Sequence, residues 1–188
     1  MHEIEPFYNW GCYYLPYEDK KSPFYGKEPA TAYEHAVYGY VIHPDWDFIG
    51  SETLYVKLLM VNYSLKYAVI ELFGEWNDTL HNDIMYLKRG VIDRLLKNGI
   101  RQFILVGENL FQFHGGEDDY YQEWFEDVED GWIALLNFRK FVIEELEKYR
   151  LDYYLHTGGT LQMENWRTLK PDVLFSLVSM LIQRRLGS

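Results

Sequence analysis

Apolar positions along this chain change their period twice. From Glu52 to Asn62, Leu54, Val56, Leu58 and Met60 alternate with Tyr55, Lys57, Leu59 and Val61, the two-residue period of a strand that is apolar on both faces. Tyr63 to Lys66 can close a hairpin onto a partner strand, Tyr67 to Phe73, that ends at Gly74. With an alternating run from Tyr33 to Ile42 ahead of them, the three segments predict an antiparallel meander. Beyond Gly74 the period becomes 3.6: Ile84, Leu87, Val91, Ile92, Leu95 and Leu96 form one stripe, Lys88, Arg89, Asp93 and Lys97 line the other side, and Asn98-Gly99 supplies a stop. The unbroken run Phe103 to Val106 then reads as a strand buried on both faces. Strand, helix and strand with short joints form a right-handed crossover, so these two strands should be parallel.

The remaining pattern predicts a helix over Asp118 to Val128, with Tyr121, Trp124, Phe125 and Val128 inward. A second long helix is expected after Gly131 through Ile133, Leu135, Phe138, Val142, Leu146 and Tyr149. Leu151 to Thr157 reads as the next strand, and Pro171 opens a last helix carrying Val173, Leu174, Leu177, Val178, Leu181 and Ile182 on its inner face. The expected architecture is one α/β domain over residues 1–188, with a mixed sheet of about five strands and about four helices. No internal repeat or linker divides it. Residues 1–32 stand apart as an arm broken by Pro6, Gly11, Pro16, Pro23 and Gly26. Its rings either wrap the domain as a satellite core or, through Trp10, Tyr13, Tyr14 and Tyr17, form a sticky patch for a partner or a second copy of the chain.

Charge sharpens this picture. The net charge of −11 is concentrated: residues 107–131 hold nine acids and no lysine or arginine, and residues 1–50 hold eight acids against three lysines. A chain this acidic without a basic stripe is repelled by phosphate backbones and anionic lipid, which argues against nucleic acid and membrane as partners and favours a cation or a basic protein surface. No run reaches the ~18 apolar residues of a membrane span and no signal peptide opens the chain, so a reducing, cytoplasmic setting is expected. Cys12, the single cysteine, has no partner for an internal disulfide.

From Tyr67 to about Tyr149 the chain resembles the STAS domain of anti-sigma-factor antagonists. The resemblance rests on an apolar strand ending in Gly74-Glu75, a helix closing at Gly99, the buried strand FILV, a loop, and a Gly-initiated apolar helix, GWIALLNF. It implies a small bacterial regulator that acts by binding a protein partner. Many such domains carry a phosphorylatable serine just before the second helix; Glu129 and Asp130 stand there instead, which implies a fixed negative charge at a helix N-terminus.

Ligands of open sheets sit beyond the carboxyl ends of parallel strands, a rule that selects three stretches here. The first is Glu75 with Asn77, Asp78 and His81, the second Glu108-Asn109 with His114, and the third His156 to Thr160 with its Gly158-Gly159 pair. Glu75, Asp78, His81, Glu108 and His114 together are the donor types of a metal-assisted hydrolase. The plainer reading makes Asn77 and Asp78 helix caps and His81 a surface residue. No HExxH, GxGxxG, GxxxxGK[ST] or GxSxG motif is present, so no cofactor is expected and a non-enzymatic interaction domain is the leading reading. Its surface would be the acidic stretch, with Asp118, Asp119, Tyr120, Tyr121, Trp124, Glu129 and Asp130 facing a basic protein partner. A metal-assisted hydrolase or a small-ligand binder at the strand ends is the alternative, and a homodimer is a further expectation.

Overall fold

A computed structural model describes residues 2–28 and 36–187. A five-stranded sheet runs through the centre in the order β4 (Asp47–Phe48), β5 (Leu54–Asn62), β6 (Tyr67–Asn77), β7 (Gln102–His114) and β8 (Trp132–Leu136). The β4–β5 and β5–β6 pairs are antiparallel, and β6–β7 and β7–β8 are parallel. The expected mixed α/β sheet is therefore present, though two of its members differ from the expectation.

The run up to Ile42 is not a meander strand. Its described part is a small hairpin, β2 (Ala36–Val37) and β3 (Tyr40–Ile42), joined by β1 (His2–Ile4) in a separate three-stranded sheet; Tyr33 to His35 lie outside the described residues. The second difference concerns Gly131 to Phe138. These residues do not start a helix: Trp132–Leu136 is strand β8, and the helix α4 begins only at Lys140 and ends at Lys148. Five consecutive buried side chains alternate between the two sides of the sheet, Ile133 and Leu135 to one, Trp132, Ala134 and Leu136 to the other. A short continuous apolar run carries no periodicity that separates a two-faced strand from a buried helix. Displaced in turn, Leu151 to Thr157 is no strand; it holds a single 3₁₀ turn, Leu151–Tyr153, and touches β8 through one bridge between Ala134 and His156.

The two strands that carry the crossover are longer than their apolar patterns. β6 does not stop at Gly74 but passes through it with a φ of 107°, and a Cβ there would stand 2.1 Å from the carbonyl oxygen of Thr53. That geometry admits only glycine and lets the strand continue through an irregularity in its pairing with β7. β7 runs on to His114, so Glu108 and Asn109 lie inside it. Between them, α1 (Asp83–Leu87), a π-helical turn (Lys88–Ile92) and α2 (Asp93–Lys97) form one continuous helical rod with helical dihedrals across both joints.

The rod, α3 (Asp119–Asp127) and α4 cover one face of the sheet, on which Ala68, Ile70, Leu72, Phe103 and Leu105 are buried. The other face, with Tyr67, Val69, Ile104 and Val106, is covered by α5 (Pro171–Leu186) and the N-terminal arm. Two inner-face assignments fail: Phe125 of α3 and Val173 of α5 are exposed. The arm splits its rings. Phe7 and Trp10 pack edge to face with Trp166 at centroid distances of 5.0 and 5.6 Å, and Trp10 donates to the Leu169 carbonyl at 3.0 Å. Tyr13 and Tyr17 stay exposed, and Tyr14 is half-buried.

Candidate functional site

The carboxyl ends of β6 and β7 meet where Asp78 donates its backbone N–H to the His114 carbonyl at 2.9 Å. Two carboxylates are built into this end as structure. Asp78 accepts from the Trp76 indole at 2.9 Å, from the Ile84 backbone N–H at 2.8 Å and from the Tyr121 hydroxyl at 2.5 Å, so it caps the first turn of α1 and ties it to α3. Burial pushes its carboxyl up to about 6, against the three hydrogen bonds that favour the ionised form. Asp83 accepts from the Asn77 N–H at 2.8 Å and from Thr53, and burial raises it too.

Glu75 and His114 stand 3.8 Å apart. Although burial pulls the Glu75 carboxyl up, hydrogen bonds from Tyr38 at 2.6 Å and from the Asn77 amide at 2.7 Å prevail and hold it below its ordinary value. His81 is exposed, and Asn77 spends its amide oxygen on the Leu80 N–H. Glu108 is elsewhere. It lies on the α5 side of the sheet, where it accepts from Asn137 and Trp166 at 2.7 Å and from Arg167 at 2.8 Å. The five residues of the metal-assisted reading are thus not gathered around one point. The third stretch, at Thr157 and Gly158, does not follow a strand, and its carbonyls are taken by Arg185.

Beside Asp78 the loop after β7 opens a cleft of about 580 Å³ lined by Thr79, Gly115, Gly116, Glu117, Asp119, Tyr120 and Tyr149. Thr79 donates to the Gly115 carbonyl at 2.6 Å and closes its floor. A Cβ on Gly115 would come within 2.4 Å of the Tyr149 ring, so the glycine lets that ring lie flat against the loop. Glu117, Asp118 and Asp119 are exposed on the rim.

The acidic stretch is not uniform. Tyr121 and Trp124, which the helical stripe places inward and the interaction-surface reading places outward, are fully buried: Tyr121 lies 6.1 Å from Trp76 in a stacked pair, and Trp124 packs edge to face with Phe103. Turned outward instead are Phe125 and Tyr153, with the half-buried Tyr154 beside them, and the three ring centroids lie 5.2 to 5.8 Å apart. Tyr153 is 75% exposed. Tyr154 donates to Asp118 at 2.7 Å, a bond that pushes its hydroxyl up to about 12. Sequence reading missed this trio because Phe125 falls on the apolar stripe of α3 and Tyr153-Tyr154 reads as strand. Glu129 and Asp130 precede β8, not a helix; they sit exposed in a turn, with Glu129 3.6 Å from Arg101.

Along the opposite side of α3, Lys88 is fully buried and donates to Asp127 at 2.8 Å, to Glu123 at 3.1 Å and to Asp93. The oxygens of Asp93, Glu123 and Asp127 lie within 4.8 Å of one another, a spacing that suits a metal, and the Lys88 ammonium hydrogen-bonds all three. Arg89 grips Glu123 with both terminal nitrogens, at 2.5 and 2.7 Å, and holds that carboxyl down to about 2.

A second buried carboxylate escaped the sequence reading. Glu71, in the middle of β6, accepts from the Phe7 backbone N–H at 2.7 Å, from Asn109 and from Arg167 at 3.2 Å, and its burial pushes it up to about 7. The available signal was a lone acid inside the apolar run YAVIELF.

No family model and no curated protein matches the chain. Among solved structures it is similar to the anti-sigma factor antagonist SpoIIAA in its unphosphorylated form, at 16% identity and a TM-score of 0.42 over 56% of this chain and 89% of that one. The phosphorylated form of the Bacillus cell fate determinant SpoIIAA is similar at 14% identity and a TM-score of 0.38, over 56% and 92% of the two chains. The likeness is one of fold and spans a little over half of the chain.

Proposed function

We propose that this chain is a non-enzymatic interaction module whose binding face is the rim of the acidic cleft together with the Phe125–Tyr153–Tyr154 trio, and whose partner is a protein with a basic surface. The observation that carries this reading is the juxtaposition of two exposed rings, Phe125 and Tyr153, and the half-buried Tyr154 with carboxylates that lack a cationic partner. Among the described residues Glu117, Asp118, Asp119 and Glu126 enter no salt bridge, whereas Glu123 and Asp127 on the inner side of the same helix are held by Lys88. Clustered exposed rings mark interaction surfaces, and aromatic anchors carry most of the energy of protein interfaces. The surrounding acids would select an arginine- or lysine-bearing face and speed the encounter, while repelling phosphate backbones and anionic lipid. No described helix is long and apolar enough to cross a membrane.

The test is capture of partners from the native host with the wild-type chain and with a Phe125→Ser, Tyr153→Ser variant, each across a salt series. A partner held at low salt, released as ionic strength rises and lost in the variant supports the face. Capture indifferent to both salt and the two substitutions removes it.

A further inference from the structure

The N-terminal arm does more than cover a sheet face. Between it and β4–β5 lies a cavity of about 170 Å³, remote from the acidic cleft. An apolar cavity of about 150 Å³ accepts a benzene ring, so this one has room for a single aromatic ring. Its two ends differ in kind. Phe7, Tyr14, Phe24 and Leu59 line the apolar part, while Asp47 and Lys57 form a charged end.

The charged end is incompletely paired. Among the described residues Oδ2 of Asp47 is buried and accepts no hydrogen bond. Lys57 forms a long ion pair with it at 3.9 Å, beyond hydrogen-bond reach, and donates a hydrogen bond to the Asp45 carbonyl at 2.9 Å. Lys27, the other cation of the wall, donates to the Phe48 carbonyl and lies 4.9 Å from the Phe24 ring centroid. Neither lysine hydrogen-bonds the Asp47 carboxylate, and with Glu28 and Asp45 also in the wall the carboxylates outnumber the ammonium groups.

We propose that this cavity is a binding site for a small aromatic amine, its ring lodged among the rings of the arm and its protonated nitrogen on the Asp47 carboxylate. A buried acceptor without a donor is costly, and an ammonium N–H would satisfy it with a charge-assisted bond. The Asp47 side chain keeps 18% of its surface exposed, and rotation about its terminal torsion, which is broad, turns the bare oxygen toward an occupant. Surrounding ring faces favour a cation over an anion. Burial has already raised the Asp47 carboxyl, and an adjacent ammonium would draw it down again. An anionic ligand would instead meet the excess of carboxylates.

Three probes of one shape decide it: phenethylamine, 2-phenylethanol and 3-phenylpropionate, titrated into the full chain at neutral pH and followed by NMR. The amine should bind at least tenfold more tightly than the other two. Asp47→Asn should erase that preference while the melting temperature shows an intact fold, and Leu59→Trp, which fills the cavity, should block the amine. Equal or tighter binding of the alcohol or the carboxylate, an amine unaffected by either substitution, or saturation by none of the three overturns the proposal.

Discussion

The two sides of α3 carry the same kind of charge and do opposite work. On the inner side Asp127 and Glu123 surround the fully buried Lys88, with Asp93 completing the set, and Arg89 closes over Glu123. On the outer side, and in the loop before it, Glu126, Asp118 and Asp119 face water beside Phe125 and Tyr153. A carboxylate that hydrogen-bonds a fully buried ammonium is part of the fold, because removing it strands that ammonium in a low dielectric. One that keeps its water costs the fold nothing and remains available to a partner. The −11 charge of this chain is thus two populations that only packing distinguishes.

Breaking the inner population should give the largest effect. Lys88→Met removes the cation and leaves three partly exposed carboxylates facing one another, so stability should fall by about 1 to 3 kcal/mol. Acidification should recover part of this loss as the carboxylates take up protons; a variant as stable as the parent at neutral pH would show that the buried ammonium is not what holds α3 to the rod.

The next effect concerns the buried acid on the other face. Glu71 holds its proton up to about 7 when folded and to about 4.5 when unfolded. Between those values the folded chain binds more protons, so its stability declines as pH rises through the window and levels off above it. Glu71→Gln keeps an acceptor for Phe7 and has no proton to exchange, so it should flatten that decline. Parallel stability profiles of the two proteins from pH 4.5 to 8 would refute it.

Smallest of all should be the outer population. Converting Glu117, Asp118 and Asp119 together to Gln, Asn and Asn should shift unfolding by no more than about 0.5 kcal/mol, since exposed substitutions away from buried networks rarely do more. The same triple variant should slow association with a basic partner several-fold at low salt, a difference that disappears as salt is added. A large loss of stability would place these acids in the fold after all.

How much could be read in advance follows the same division. The β5–β6 hairpin, the crossover through the helical rod and the helix opened by Pro171 were legible, because each has a local period and a local stop: alternation, a 3.6-residue stripe, Asn98-Gly99, and a proline at the first helical position. Residues 132–136 were not, since WIALL is apolar at every position and only two neighbouring layers reveal which of its faces are covered. Of the residues read as a site, Glu75, Asn77, Asp78 and His114 do come together at the strand ends, as the crossover geometry requires. Glu108 departs to the opposite face because β7 runs past it, and Tyr121 and Trp124 go inward while Phe125 and Tyr153 come out. Local pattern determined which segments are strands and helices wherever one face was apolar and the other polar. Which acids are held by a cation, which rings meet water and where the arm lies depended on contacts between residues far apart in the chain, such as Lys88 with Asp127 or Phe7 with Glu71, and no short-range period records those.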